Sequence, residues 1–144
     1  MADDFGAGLA GFAGHYAGEG AWYDETGETR PYRIRMQLEM LSGGGVRQWF
    51  HHLFYREGDA VIEQTLIFTP KANGLFTLTL EGAPLTGHGY AGADTFHYDL
   101  FVPDNRVEVT HIRREAGVDV LGSSEKNADG NHIWCCLLYT SRCV

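Results

Sequence analysis

Seven histidines in 144 residues raise the question of metal or acid–base chemistry. A ligand set needs side chains that converge on one point, as two histidines do when they stand two apart on a strand or four apart on a helix. His51 and His52 are adjacent, so on a strand they face opposite sides and cannot share an ion. His88 falls in a glycine-rich passage, and His97 and His111 lie on separate segments, so spacing alone gives no metal site. WFHHLFYREG places Trp49, His51, Leu53 and Tyr55 on one face and Phe50, His52, Phe54 and Arg56 on the other. If the first face lines a cavity, His51 and Tyr55 are polar groups among aromatics, the usual make-up of a ligand pocket. Otherwise one imidazole is a hydrogen-bonded core group and the other sits among surface aromatics.

GAPLTGHGYAG reads as the longest irregular stretch, where His88 and Tyr90 would reach over a pocket entrance. Its glycines fit a bulge or a tight corner equally well. In FHYD, His97 and Asp99 share a face, which either orients an imidazole as a general base or makes a solvent-facing polar pair. GSSEKNADG has no Gly-x-Ser-x-Gly elbow and no following helix, which argues against a hydrolase nucleophile. Gly18 and Gly20 lie within a strand pattern rather than between strand and helix, so no nucleotide-binding loop is expected.

The elements that must position these residues are short strands. RPYRIRMQLEM puts Tyr32, Ile34, Met36, Leu38 and Met40 on one face, with Arg33, Arg35, Gln37 and Glu39 on the other. VRQWFHHLFYREG, AVIEQTLIFTP, GLFTLTLEG, TFHYDLFV, RVEVTHIRR and VDVLGSSEK follow, separated by turn residues. With GHYAGEGAWYD at the start, they predict eight strands, and NHIW opens a ninth. A short helical lead is expected around Asp3 to Phe12. The fold class is all-β: an up-and-down antiparallel barrel of about 8–10 lipocalin-like strands, closed because closure removes edges. An open sandwich is the alternative.

The formal charge of −8 and the lack of a Lys/Arg stripe argue against nucleic acid as a partner. No apolar run is long enough to cross a bilayer as a helix, and the N-terminus has acids where a signal peptide needs positive charge. A cytoplasmic protein with a small-molecule partner is the expectation.

GHYAGEGAWYDETGE resembles the first strand of calycin barrels: lipocalins, fatty-acid-binding proteins and the nitrobindin-like group. Gly14-His15-Tyr16 stands where those proteins have Gly-x-Trp, with Tyr for Trp, and Gly18-Glu19-Gly20 with Trp22 follows the nitrobindin-like continuation. The resemblance implies a barrel that holds an apolar or aromatic ligand. The expected contact set is Tyr16, Trp22, Trp49, His51, Tyr55, His88, Tyr90 and His97. It also brings in haem, which the nitrobindin-like group holds through a histidine near the C-terminus. GSSEKNADGNHIW departs from that motif, so no cofactor is expected and haem is the alternative. A barrel enzyme of isomerase or cyclase type would use His51, His97, Tyr55 or Glu19 for acid–base work.

All three cysteines, Cys135, Cys136 and Cys143, crowd into the final residues without a Cys-x-x-Cys spacing or a prenylation box. Back-translated, Cys136 to Val144 resembles two transposon mosaic ends joined head to head, as in sequencing adapters. The expected organisation is therefore one domain over 1–135 and a non-native tail over 136–144. The last strand would be truncated, leaving an open edge.

Overall fold

The computed structural model describes residues 9–24, 26–54, 61–82, 86–102, 105–126 and 130–140; side chains are described except at 24, 52–54, 61–62, 102, 105, 125–126 and 130–140. Ten antiparallel strands run in chain order: β1 Gly14–Asp24, β2 Thr29–Met40, β3 Val46–Phe54, β4 Val61–Pro70, β5 Leu75–Leu80, β6 Thr86–Ala91, β7 Thr95–Val102, β8 Asn105–Arg113, β9 Val118–Lys126 and β10 Gly130–Thr140. Each pairs with its neighbours in sequence, and β1 also pairs with β10, which closes the barrel. Among the described residues no helix is long and apolar enough to cross a membrane.

Alternation decides what lies inside. On β2 the residues Tyr32, Ile34, Met36 and Leu38 are buried and those between them face out. Register carries the inner face onward through Val46 and Gln48 on β3, Leu66 and Phe68 on β4, and Phe76 and Leu78 on β5. One end of the barrel is filled by an aromatic cluster. Phe68 packs on Phe76, Phe96 and Tyr98 with centroids 5.1, 6.2 and 5.7 Å away, and Phe12 meets Phe96 edge-on at 4.8 Å. Burial of each such ring contributes roughly 1.5–3 kcal/mol.

Leu9 and Phe12, both fully buried, form a plug over this end. The Tyr16 hydroxyl donates to the Phe12 carbonyl at 2.6 Å. Arg113 sits over the Phe12 ring at 5.5 Å while Nη2 binds Asp94 Oδ1 at 3.0 Å and the Ala93 carbonyl at 2.6 Å. Only Leu9 and Ala10 of the expected helical lead are helical among the described residues.

Two expectations are corrected. GAPLTGHGYAG contains a strand, β6, rather than an irregular loop. Its inward positions are Gly87, Gly89 and Ala91, so the buried face offers only one small side chain for a hydrophobic pattern to reveal. The expected open edge is also absent: β10 runs to Thr140 and pairs with β1 from Tyr16–Thr140 to Asp24–His132. Strand pairing is made by main-chain groups, which any non-proline residue supplies, so the unusual composition of 136–140 does not prevent it.

Candidate functional site

Among the described residues the buried polar side chains are Ser124 on β9 and the pair Gln48 and His111, which meet inside the barrel. β3 and β8 lie on opposite sides of the ten-strand ring, and these two side chains reach across the lumen to within 3.0 Å. Gln48 is 1% and His111 1% exposed, so this is a polar bar through the interior. The Gln48 amide nitrogen also lies 3.1 Å from Met36 Sδ. With one amide hydrogen directed to sulfur and the other to His111 Nε2, the imidazole accepts at Nε2 and carries its proton on Nδ1.

The ring of His111 is stacked on Phe96, centroids 3.9 Å apart and planes 13° apart, with Tyr98 beyond at 6.1 Å. Burial in this setting pushes its pKa down to about 3, with His97 adding a smaller push in the same direction. The group is therefore neutral at neutral pH. Burial raises the Tyr98 hydroxyl well above the usual phenol range. Tyr16 is raised by burial too, against the nearby Arg113 charge. Two buried atoms of the bar, His111 Nδ1 and Gln48 Oε1, have no hydrogen-bond partner among the described residues. One is a donor and the other an acceptor.

At the end of the barrel away from the plug, the inward-facing side chains are only partly buried. Trp22, Phe50, Leu80 and Val107 pack against the core there. Arg30, on the inward face of β2, lies 5.5 Å from the Trp22 ring. Largely apolar walls, a rim with partial exposure and two unpartnered polar atoms deeper in are features that suit a small organic molecule.

The expected contact residues divide sharply. Tyr16 and Trp22 face inward, Tyr16 at the plug and Trp22 at the rim. Trp49 and His51 face outward, because β3 turns its Val46–Gln48–Phe50 face to the core. Trp49 instead lines a shallow outer groove of about 530 Å³ with Gln37, Arg47, Thr65 and Glu81. Its indole donates to Glu63 at 2.9 Å, and His51 lies 3.9 Å from the same carboxylate. His88 and Tyr90 are exposed on the outer face of β6, not poised over an entrance. His97 faces outward on β7, and Glu19 is exposed on β1. Tyr55 lies outside the described residues.

Gln48 and His111 were missed, although each leaves a trace in the sequence. Gln48 interrupts the apolar face Val46–x–Phe50, and His111 continues the face Val107–x–Val109. A polar group in phase with the apolar face of a strand is the available signal.

No protein-family profile matches the chain, and no curated protein is significantly similar to it. Solved structures do resemble it. The S-type phycobiliprotein lyase CPES of Guillardia theta superposes with a TM-score of 0.74 at 9% identity, covering 95% of this chain and 94% of that one. Rv2717c of M. tuberculosis superposes with a TM-score of 0.72 at 13% identity, covering 94% of this chain and 98% of the other. Both likenesses are of fold: lipocalin-like, calycin-type barrels.

Proposed function

We propose that the protein binds a small, mostly apolar or aromatic molecule inside the barrel, entering at the Trp22–Val107 rim and directing its polar end to His111 and Gln48. The observation that carries this reading is the bar itself, with a donor and an acceptor that have no partner among the described residues of a largely apolar interior. Buried polar atoms are nearly always hydrogen-bonded, so such a pair favours a ligand offering one acceptor and one donor. The likeness to a phycobiliprotein lyase supports a barrel suited to a small molecule, without specifying which one.

Binding without catalysis is favoured because the partner of His111 is an amide, not a carboxylate that would raise its basicity. Haem fits poorly, since the His111 ring is clamped against Phe96 with Nε2 already engaged. Haemin titration is expected to give no sharp Soret band, and a tight stoichiometric one would reverse that judgement.

The direct test uses 1-aminoanthracene, an apolar ring system with one polar group, followed by its fluorescence. The expected result is a saturable one-to-one increase. Gln48→Leu should weaken it about tenfold, the equivalent of one hydrogen bond. Val107→Trp should abolish it by filling the rim while leaving the near-UV circular dichroism of the barrel intact. Binding indifferent to both substitutions, or no saturable signal, would refute the assignment.

A further inference from the structure

On the outside of the barrel, the register of β6, β7 and β8 sets His88, Asp99 and Glu108 side by side across three strands. The adjacent row on the same face is Tyr90, His97 and Thr110. Neighbouring rows on one face of a sheet are within side-chain reach. Here His97, Asp99 and Glu108 each bring a ligand-type atom to within 4.8 Å of the others. We propose that this cluster binds a first-row divalent cation through His97 Nε2 and the carboxylates of Asp99 and Glu108, with His88 alongside. The site is separate from the lumen and independent of the ligand assigned to it.

The orientation of His97 is the first support. Its Nδ1 lies 2.8 Å from Thr110 Oγ1 and its Nε2 3.5 Å from Asp99 Oδ1. If Nδ1–H donates to the hydroxyl, Nε2 keeps a lone pair aimed at a carboxylate oxygen, which is repulsive unless a cation stands between them. In the opposite tautomer the Thr110 hydroxyl donates to Nδ1 and Nε2–H faces the carboxylate at 3.5 Å, longer than an ordinary N–H···O bond, so a metal selects the Nδ1–H form. Ligating histidines have this arrangement, one nitrogen fixed by a hydrogen bond and the other turned to the metal. Two atoms each ~2.0–2.2 Å from a tetrahedral ion are ~3.3–3.6 Å apart, so the His97–Asp99 separation is that of two ligands to one ion.

Asp99 supplies the second support. Its side chain is 15% exposed, and its buried Oδ1 has no hydrogen-bond partner among the described residues. A desolvated carboxylate oxygen requires nearby positive charge. On its other side Oδ2 lies 3.8 Å from His88 Nε2, an imidazole exposed enough to turn toward an ion. Arg106 provides part of the charge, with Nη2 2.6 Å from Glu108 and 3.5 Å from Asp99. That guanidinium is half-exposed and acts as an internal competitor. When it swings out, both carboxylates are released to a metal.

The overall charge of −8 draws cations to the surface. A mixed imidazole–carboxylate set favours Zn²⁺ and its first-row neighbours over Mg²⁺ and Ca²⁺, which prefer oxygen-only sites.

The test titrates the full chain with Zn²⁺ by calorimetry and with Co²⁺ by visible absorption. One-to-one binding is expected. Asp99→Asn and, separately, His97→Gln should each weaken it at least tenfold. Thr110→Val should cost about tenfold through loss of ring orientation. Arg106→Gln should tighten binding, a response that a purely structural ion-pair network would not give. Because the chain also carries three cysteines, the Co²⁺ spectrum must lack thiolate charge-transfer bands. Failure to bind stoichiometrically, a thiolate-dominated spectrum, or an affinity unchanged in both Asp99→Asn and His97→Gln would overturn the site.

Discussion

Replacing Gly89 with valine is expected to cost about 3 kcal/mol or more of stability, the upper end of what overpacking does in a well-filled interior. A Cβ at this position meets the main-chain carbonyl oxygen of His97 and lies 2.6 Å from the Phe76 ring and 2.9 Å from Tyr98 Cα. The first of these obstacles is backbone of the paired strand β7, so no rotamer change relieves it. Relief would require β6 and β7 to separate, which breaks the ladder that joins them. Gly89→Ala already brings in the clashing atom and should be clearly destabilising. Gly92→Ala is the matched control, since its nearest obstacle, Thr95 O, is at an ordinary 3.8 Å. Urea midpoints for the three variants decide the matter. If Gly89→Ala and Gly92→Ala unfold at the same concentration, the close approach of β6 to β7 is wrong.

The second large effect is acid sensitivity centred on His111. In the unfolded chain an imidazole takes up its proton near pH 6.5, whereas in the barrel burial, helped by His97, holds that event down to about pH 3. Between those values the unfolded state binds a proton that the native state refuses. Stability is therefore complete above about pH 6.5 and declines as pH falls, by up to about 1.4 kcal/mol per pH unit. Protonation also sets an Nε2–H against the Gln48 amide hydrogens, which removes the bar. His111→Phe keeps a flat ring on Phe96 and deletes the titration; pairing it with Gln48→Leu avoids a stranded amide. Chemical denaturation at about pH 7 and about pH 5, where most carboxylates remain ionised, isolates the effect. Parallel losses in the native chain and the double variant would show that His111 is not the acid-sensitive element.

Much of the architecture was legible because alternation reports directly on a two-sided sheet. Tyr32 through Leu38 declared their face without ambiguity. Face assignment on β3 was not legible, since Trp49 and Phe50 are equally aromatic and only the pairing of Gln48 with Leu38 and Leu66 turns that side inward. β6 was hidden for the opposite reason: its inward residues are two glycines and an alanine, and its conspicuous residues, His88 and Tyr90, are the outward ones. The candidate site suffered most. A polar group among aromatics is the pocket signal a strand usually offers, but the residue that reaches the lumen, His111, sits in a valine-patterned strand. The outer cluster depended on bringing His97, Asp99 and Glu108 together across β7 and β8, and no local spacing encodes that.

The seam between β1 and β10 sets the order in which the barrel can assemble. Every other ladder joins consecutive strands, but this one brings Trp22 opposite Trp134, more than a hundred positions away. Closing so long a loop costs about 3 kcal/mol more chain entropy than closing a short hairpin. Nothing repays that cost until the intervening strands have curled far enough to bring their ends together. The meander therefore forms as an open, twisted ribbon, and the seam is its last step. Until then both outer strands present unpaired main-chain groups, so the interval before closure is when the chain is most exposed to pairing with another copy of itself.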